Sequence, residues 1–194
     1  THLGDDFVTL MLTENYRSYQ PILNYATEFR KYAANLIGDV GLAVPFKNKV
    51  VSHIEATRGD NDKCVYIAYS QYDGHFPRDL IVNGREPVPL KPTLNSLMRA
   101  NDFHILVRTN REGRELQKLG FERVMTIHKS KGLEFDNVIV VDNLVTSEED
   151  INVGYVALTR AKNILVVTPL NVLKEVVAAL PEQHKTIYKT KMGF

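Results

Sequence analysis

The feature that most constrains the fold is an alternation of short apolar runs with segments of helical periodicity. The runs are rich in β-branched and aromatic residues and are short enough to be strands; they occupy 64–70, 103–108, 123–127, 137–142 and 163–168. Helical spacing of apolar residues is found between most of them, at 93–100, 111–119, 147–161 and 170–180. Short apolar strands that alternate with helices are typical of a parallel sheet with helices on both faces. The sequence therefore predicts an α/β fold with a mostly parallel sheet.

The N-terminal part is less regular. A β-prone run at 7–12 predicts a first strand, and apolar positions at helical spacing predict a helix over 21–37 with Ser18 as its N-cap. A weaker strand is expected at 50–56, and 71–89 is interpreted as a loop or a small hairpin.

Length, charge and cysteine content exclude several classes of protein. At 194 residues the chain fits one domain, and its net charge of +1 excludes a globally basic nucleic-acid binder, so any such binding needs a local cluster. Cys64 is the single cysteine, and the histidines form no metal-ligand spacing with it, so we expect neither an intrachain disulfide nor a metal site. No apolar run is long enough for a transmembrane helix. The single cysteine favours a reducing compartment, so a cytoplasmic location is expected.

Three polar clusters stand beside the apolar runs. They are TENYRS (13–18), TIHKSKGLEF (126–135) and YVALTRAK (155–162). Ligands of open parallel sheets bind at the carboxyl ends of the strands, where we expect these clusters to lie. Arg17 and Arg160 carry permanently charged guanidinium groups suited to phosphate oxygens. Taken singly, each arginine could instead form a structural ion pair, and the loop at 126–135 could be a solvated turn.

Taken together and in this order, the three clusters resemble motifs IV, V and VI of the UvrD/Rep-like superfamily 1 DNA helicases. The FHILVRTN segment is similar to the strand and polar end that this family carries between motifs IV and V. The resemblance covers about Leu10 to Thr168 and implies a second RecA-like motor lobe, which we assign to 1–182, with a basic tail at 183–194. It implies an ATP-dependent DNA helicase, in a family linked to DNA repair.

The resemblance also implies roles for single residues at a cleft between two lobes. Arg17 and Arg160 would reach the γ-phosphate of ATP as arginine fingers, the catalytic residues of this lobe. Tyr16 would stack near the adenine, and Gly132 and Glu134 would approach the nucleotide, with Glu134 accepting from a ribose hydroxyl.

A second group of residues would contact single-stranded DNA. Thr126 and His128 belong to it by their place in motif V, and Arg108 and Asn110 by their place after the preceding strand. A hydroxyl, an imidazole and backbone amides suit the positioning of phosphates without reading bases.

Two departures from the family pattern limit what this chain can do by itself. It contains no GxxxxGK[ST] loop, so ATP and Mg²⁺ would be held mainly by the first motor lobe of the same polypeptide. The chain begins with Thr1 and is expected to be cut from a longer protein, inactive alone. Only 15 residues separate Asn110 from Thr126, so a large helical insertion is absent there. The alternative function is a non-catalytic module, derived from a helicase lobe, that binds nucleic acid or a partner.

Overall fold

A computed structural model describes residues 14–39, 55–59, 61, 64–67, 90–141 and 147–180. The strand expected at 7–12, the loop at 71–89 and the basic tail at 183–194 lie outside the described residues.

The described elements follow the predicted alternation, with boundaries that differ by a few residues. In chain order they are β1 (Glu14–Asn15), α1 (Gln20–Asp39), β2 (Glu55–Ala56), β3 (Val65–Ile67), α2 (Leu90–Ala100), β4 (His104–Val107), α3 (Asn110–Lys118), β5 (Val124–Thr126), β6 (Phe135–Val141), α4 (Glu148–Leu158), β7 (Ala161–Thr168) and α5 (Leu170–Ala178).

The main sheet has five strands in the order β3-β7-β6-β4-β5, and each described pairing in it is parallel. The register places Ile105 beside both Val124 and Ile139, and it places Phe135 beside Ala161 at the start of β6 and β7. The predicted parallel α/β fold of the RecA-like kind is therefore confirmed.

Helices cover both faces of this sheet. Because successive strand residues point to opposite sides, alternate residues of one strand pack against different helices. In β6, Val138 and Val140 join the core beneath α1 and α4, whereas Ile139 and Val141 join the core beneath α2, α3 and α5. All four side chains are fully buried. A strand that is apolar on both faces is the reason why β6 appeared in the sequence as a continuous apolar run.

The start of α1 differs from the prediction. The helix begins at Gln20, and the buried Ser18 hydroxyl donates to the carbonyl of Ala161 at 2.6 Å, so the expected N-cap role of Ser18 is wrong. This bond attaches the segment before α1 to the first residue of β7. The segment is also held by β1, which pairs in parallel with β2 outside the main sheet.

The connection from β5 to β6 is unusual because it crosses the sheet without an α-helix. Since β4 lies between these two parallel strands, residues 127–134 must return from the carboxyl end of β5 to the amino end of β6. We name residues 127–134 the crossover loop. It opens with a 3₁₀ turn, Ile127–Ser130, in which both named residues are buried, and it packs against α4. The crossover loop therefore links the two opposite edges of the sheet.

Candidate functional site

Three of the residues selected from the sequence meet at one place. The Nε atom of Arg17 lies 2.5 Å from Oε1 of Glu134. Arg160 is close enough to both for their charges to affect its pKa. We name Arg17, Glu134 and Arg160 the Arg–Glu–Arg cluster. Its members come from the segment after β1, from the end of the crossover loop and from the turn before β7.

Backbone carbonyl groups hold both arginines in place. Arg17 donates from Nη1 to the carbonyl of Thr159 at 3.2 Å. Arg160 donates from Nε to Val156 and from Nη1 to Leu133, each at 3.0 Å. Within the described part of the chain, neither guanidinium uses its second terminal nitrogen, Nη2, in a hydrogen bond. Each arginine is thus fixed in position and still has N–H groups to donate.

The contact between Arg17 and Glu134 is a charge pair rather than a well-aligned hydrogen bond. The Arg17 Nε atom is buried and has no hydrogen-bond partner of suitable angle among the described residues, although the carboxylate oxygen lies beside it. The two side chains remain 30% and 40% exposed. An ion pair with this exposure contributes at most about 1 kcal/mol, so a competing anion can replace the carboxylate.

The electrostatic balance of the cluster is positive. Burial lowers the pKa of the Arg160 guanidinium most, the nearby positive charge of Arg17 lowers it further, and the negative charge of Glu134 raises it. Two cations beside one carboxylate give the cluster a net charge that suits an anionic ligand.

The cluster lies at a different edge of the sheet from the one expected. Glu134 directly precedes β6 and Arg160 directly precedes β7, so both are at the amino ends of these strands. The expectation that all three polar clusters follow strand carboxyl ends is therefore wrong for these two residues. For Glu134 the reason is the crossover loop, whose second half reaches the opposite edge from its first half. Arg160 lies at the same edge because α4 returns the chain to the start of β7. We refer to these two sides as the amino edge and the carboxyl edge.

Tyr16 and Gly132, the other two residues assigned to nucleotide binding, flank the cluster in sequence. Tyr16 precedes Arg17 and is 73% exposed, although it is an aromatic residue. Gly132 has a φ of +82°, a left-handed conformation that costs an L-residue roughly 1–2 kcal/mol. Apart from Gly132 and its two chain neighbours, no atom of the described residues lies within 4 Å of a β-carbon placed there, so the glycine is required by the backbone turn rather than by space.

The residues assigned to DNA contacts lie at the carboxyl edge. Thr126 ends β5 and is paired with Val107 at the end of β4. Its hydroxyl caps the 3₁₀ turn by accepting from the Lys129 amide at 3.4 Å. His128 is half exposed on that turn, and its Nε2 lies 3.9 Å from Oε1 of Glu149.

Arg108 and Asn110 lie beside them. Arg108 follows β4 and donates to Asp150 at 2.8 Å, with Glu149 at 3.7 Å. Asn110 is the exposed first residue of α3. The four residues therefore share one edge, but acidic residues at the start of α4 neutralise Arg108 and face His128.

Sequence reasoning did not find three residues that shape these two places. Glu149 and Asp150 belong to a polar run that indicates only a helix start. Arg58 lies in a turn without periodicity, yet it donates from Nη1 to the Arg17 carbonyl at 2.8 Å. The β2 turn and the segment before α1 are far apart in sequence, so no local pattern could have indicated this contact.

The described ranges contain no group of three or more His, Cys, Asp or Glu residues that could hold a metal ion. The described helices include none with the length and apolar character needed to cross a bilayer.

The fold and the site define the class of this protein as a RecA-like α/β domain, with a positively charged cluster at one edge of a parallel sheet. Comparison with known proteins gives a matching family model for part of the chain. Residues 122–168 match the family model of the UvrD-like helicase C-terminal domain. The match runs from the loop before β5 to the end of β7 and contains motifs V and VI. The resemblance identified from the motifs is therefore confirmed.

Two similar proteins were found, one by sequence and one by structure. A segment of 73 residues is 38% identical to the Gabija protein GajB of Bacillus cereus (strain VD045); it makes up 37% of this chain and spans only 13% of the length of that protein. The C-terminal domain of a possible DNA helicase from Lactobacillus plantarum WCFS1 is 17% identical, with a TM-score of 0.44 over 88% of this chain and 96% of that one.

Proposed function

We propose that this chain is the second motor lobe of an ATP-dependent DNA helicase and supplies two arginine fingers to a nucleotide bound between two lobes. The observation that carries the proposal is the meeting of Arg17, Glu134 and Arg160. The side chains of Arg17 and Glu134 are paired, and Arg160 is within electrostatic reach of both. The two guanidinium groups outnumber the one carboxylate beside them, and this excess of positive charge supports a site for the phosphates of a nucleotide.

ATP, when bound, supplies the phosphoryl group whose transfer to water develops negative charge on its oxygens. Arg17 and Arg160 would donate from their uncommitted N–H groups to that charge. Because their backbone bonds already fix them, little reorganisation is needed during the reaction. Glu134 would release Arg17 to the phosphate and accept instead from a ribose hydroxyl. Mg²⁺ and the β- and γ-phosphates would be held mainly by a first motor lobe.

Tyr16 and Gly132 complete the nucleotide side of the proposal. An exposed tyrosine one residue before an arginine finger is suited to stack on the adenine ring, since its ring is not used in the core. Gly132 would let the crossover loop turn close to the nucleotide.

Single-stranded DNA would run along the carboxyl edge. Thr126 and His128 would contact phosphates, and Arg108 and Asn110 would extend the track. These contacts are with the backbone, so binding should weaken as salt concentration rises and should show little sequence preference. The crossover loop would join the two edges, with its first half on DNA and its second half on the nucleotide. Binding of one ligand would therefore change the affinity for the other.

The test is ATP hydrolysis by the full-length polypeptide that joins this lobe to its first lobe, measured with and without single-stranded DNA. Turnover should be stimulated by DNA, and Arg160→Ala should lower it by about a thousandfold, the scale of a lost arginine finger. Arg111→Ala is the matched control, because Arg111 is 85% exposed on the outer side of α3 and should leave turnover unchanged.

Two results would contradict the proposal: no ATP hydrolysis by the full-length polypeptide, or unchanged turnover in the Arg160→Ala variant. DNA binding that persists without any hydrolysis would favour the alternative, a non-catalytic binding module.

A further inference from the structure

Arg58 makes an unusual set of contacts for a residue in an exposed turn. Its Nη1 donates to the carbonyl of Arg17 at 2.8 Å and to the carbonyl of Lys162 at 3.1 Å. Its Nη2 donates to Oδ1 of Asn163 at 2.9 Å. The guanidinium carbon also lies 4.2 Å from the centre of the Tyr19 ring, in cation–π range. One side chain thus bridges the segment that carries Arg17 and the beginning of β7.

The turn that carries Arg58 is itself well anchored. The Thr57 amide donates to the Asn15 carbonyl, and the Gln20 amide donates to the Gly59 carbonyl, both at 3.0 Å. Gly59 has a φ of +74°, which glycine adopts without the strain of an L-residue. The turn and the segment before α1 therefore form one unit, and Arg58 extends from it to β7.

These contacts join the two backbone segments that carry Arg17 and Arg160 of the Arg–Glu–Arg cluster. Arg58 holds the backbone of Arg17 directly, and it holds Lys162, two residues after Arg160. Among the described residues, the same two segments are also joined by the Ser18 bond to Ala161 and the Arg17 bond to Thr159. Arg58 is the one of these groups that is bonded to both segments while belonging to neither.

We propose that Arg58 is a positioning residue for Arg17. It would keep the Arg17 guanidinium at a fixed separation from Arg160, so that both can reach one phosphate group. The inference rests on the proposed function and adds a residue to its site. Arg58 itself would touch neither nucleotide nor DNA.

A lysine could not perform this role fully. The planar guanidinium uses two nitrogens to reach three acceptors while its face lies over the Tyr19 ring. An ammonium group is a point charge without a flat face, so it cannot donate in these directions and stack at the same time.

The test is DNA-stimulated ATP hydrolysis by the full-length polypeptide carrying Arg58→Ala, compared with Arg111→Ala. A misplacement of about 1 Å in a catalytic group can cost on the order of a hundredfold, so kcat should fall about ten- to a hundredfold in the Arg58→Ala variant. The DNA concentration that gives half-maximal stimulation should stay the same. Arg58→Lys should show an intermediate kcat. If the alanine variant does not fold, the kcat of Arg58→Lys is compared with that of Arg111→Ala instead.

A cycle with Arg17→Ala separates positioning from general destabilisation. If Arg58 acts through Arg17, adding Arg58→Ala to the Arg17→Ala variant should lower kcat no further. An equal further loss in that background, or an unchanged kcat in Arg58→Ala alone, would overturn the inference. Failure of the proposed function would look different: Arg17→Ala itself would leave turnover unchanged, and the positioning role would then fall with it.

Discussion

The contact between α1 and α4 gives a sharp test of packing. Gly154 lies in the middle of α4 and is buried against Phe29 of α1, which is fully buried. A β-carbon placed at Gly154 would lie 2.6 Å from Cζ and 2.7 Å from Cε1 of the Phe29 ring. These distances are far below van der Waals contact, and a buried ring in a close-packed core has little room to move. The Gly154→Ala substitution must therefore force the two helices apart or displace the ring.

The expected cost follows from two opposing effects. Overpacking of a core typically costs about 1–3 kcal/mol. Alanine in place of glycine in a helix interior stabilises the helix by roughly 1 kcal/mol. We therefore expect Gly154→Ala to lower the free energy of unfolding of the chain by about 1–2 kcal/mol, since the ring is too enclosed for the cheaper end of the range.

The measurement is urea unfolding of the 194-residue chain, followed by circular dichroism. Gly113→Ala is the matched control, because a β-carbon there would lie 3.6 Å from Cγ2 of Val107 and 3.8 Å from Cγ1 of Val124, in ordinary contact. Gly113 is inside α3, so that substitution should stabilise the chain by about 0.5–1 kcal/mol. If Gly154→Ala is as stable as the parent chain, or more so, the close approach of α1 and α4 is wrong.

Three further predictions concern other parts of the chain. Thr109→Ala removes a complete capping box with Glu112 and should cost about 1 kcal/mol in unfolding free energy, measured by urea titration. Glu149→Gln removes a carboxylate 3.7 Å from Arg108 and should tighten single-stranded DNA binding about two- to fivefold at low salt, since exposed pairs are worth up to about 1 kcal/mol; fluorescence anisotropy measures this. Burial lowers the pKa of His104 below its ordinary value of 6.5, so the unfolded chain binds more protons and stability should fall as pH drops below 6.5; His104→Phe should remove that part of the pH dependence of unfolding.

Each of these has its own control. Arg111→Ala, on the same helix as the capping box, should change stability by less than about 0.5 kcal/mol. Glu122→Gln removes an exposed carboxylate at the opposite end of β5 and should leave DNA affinity unchanged. If the two glutamate substitutions have equal effects on DNA affinity, the effect of Glu149→Gln comes only from the change in net charge. A His104→Phe chain that retains the full loss of stability between pH 7 and pH 5.5 would show that other groups cause it.

The sheet was the most predictable part of the molecule. Strands such as β6 are apolar on both faces, and this pattern is both the physical requirement of a buried parallel strand and a visible signal in the sequence. The helices were predictable for a related reason. The buried side of α3, its threonine cap and the glycine after its end each correspond to a residue pattern that is visible in the local sequence. Ser18 misled because a serine before a helix can serve other partners, here the carbonyl of Ala161.

The three residues of the Arg–Glu–Arg cluster could be selected from the sequence, but their arrangement could not. Arg17, Glu134 and Arg160 belong to recognisable motifs, yet nothing local indicates that the loop between β5 and β6 crosses to the other edge. That depends on the strand order, which arises from pairings distant in sequence. The contacts of Arg58 are hidden for the same reason. A guanidinium that donates to backbone carbonyls needs no particular residue type as its partner, so no sequence pattern accompanies it.

The measurement that tests the central claim most directly is single-stranded DNA affinity of the full-length polypeptide, with and without a non-hydrolysable ATP analogue. The claim is that nucleotide binds at the amino edge, DNA binds at the carboxyl edge, and the crossover loop joins them. Coupling between two sites is typically about 5- to 150-fold in affinity, so the analogue should change the DNA dissociation constant by at least about fivefold. Tight binding of both ligands with the same DNA affinity in either condition would contradict the account.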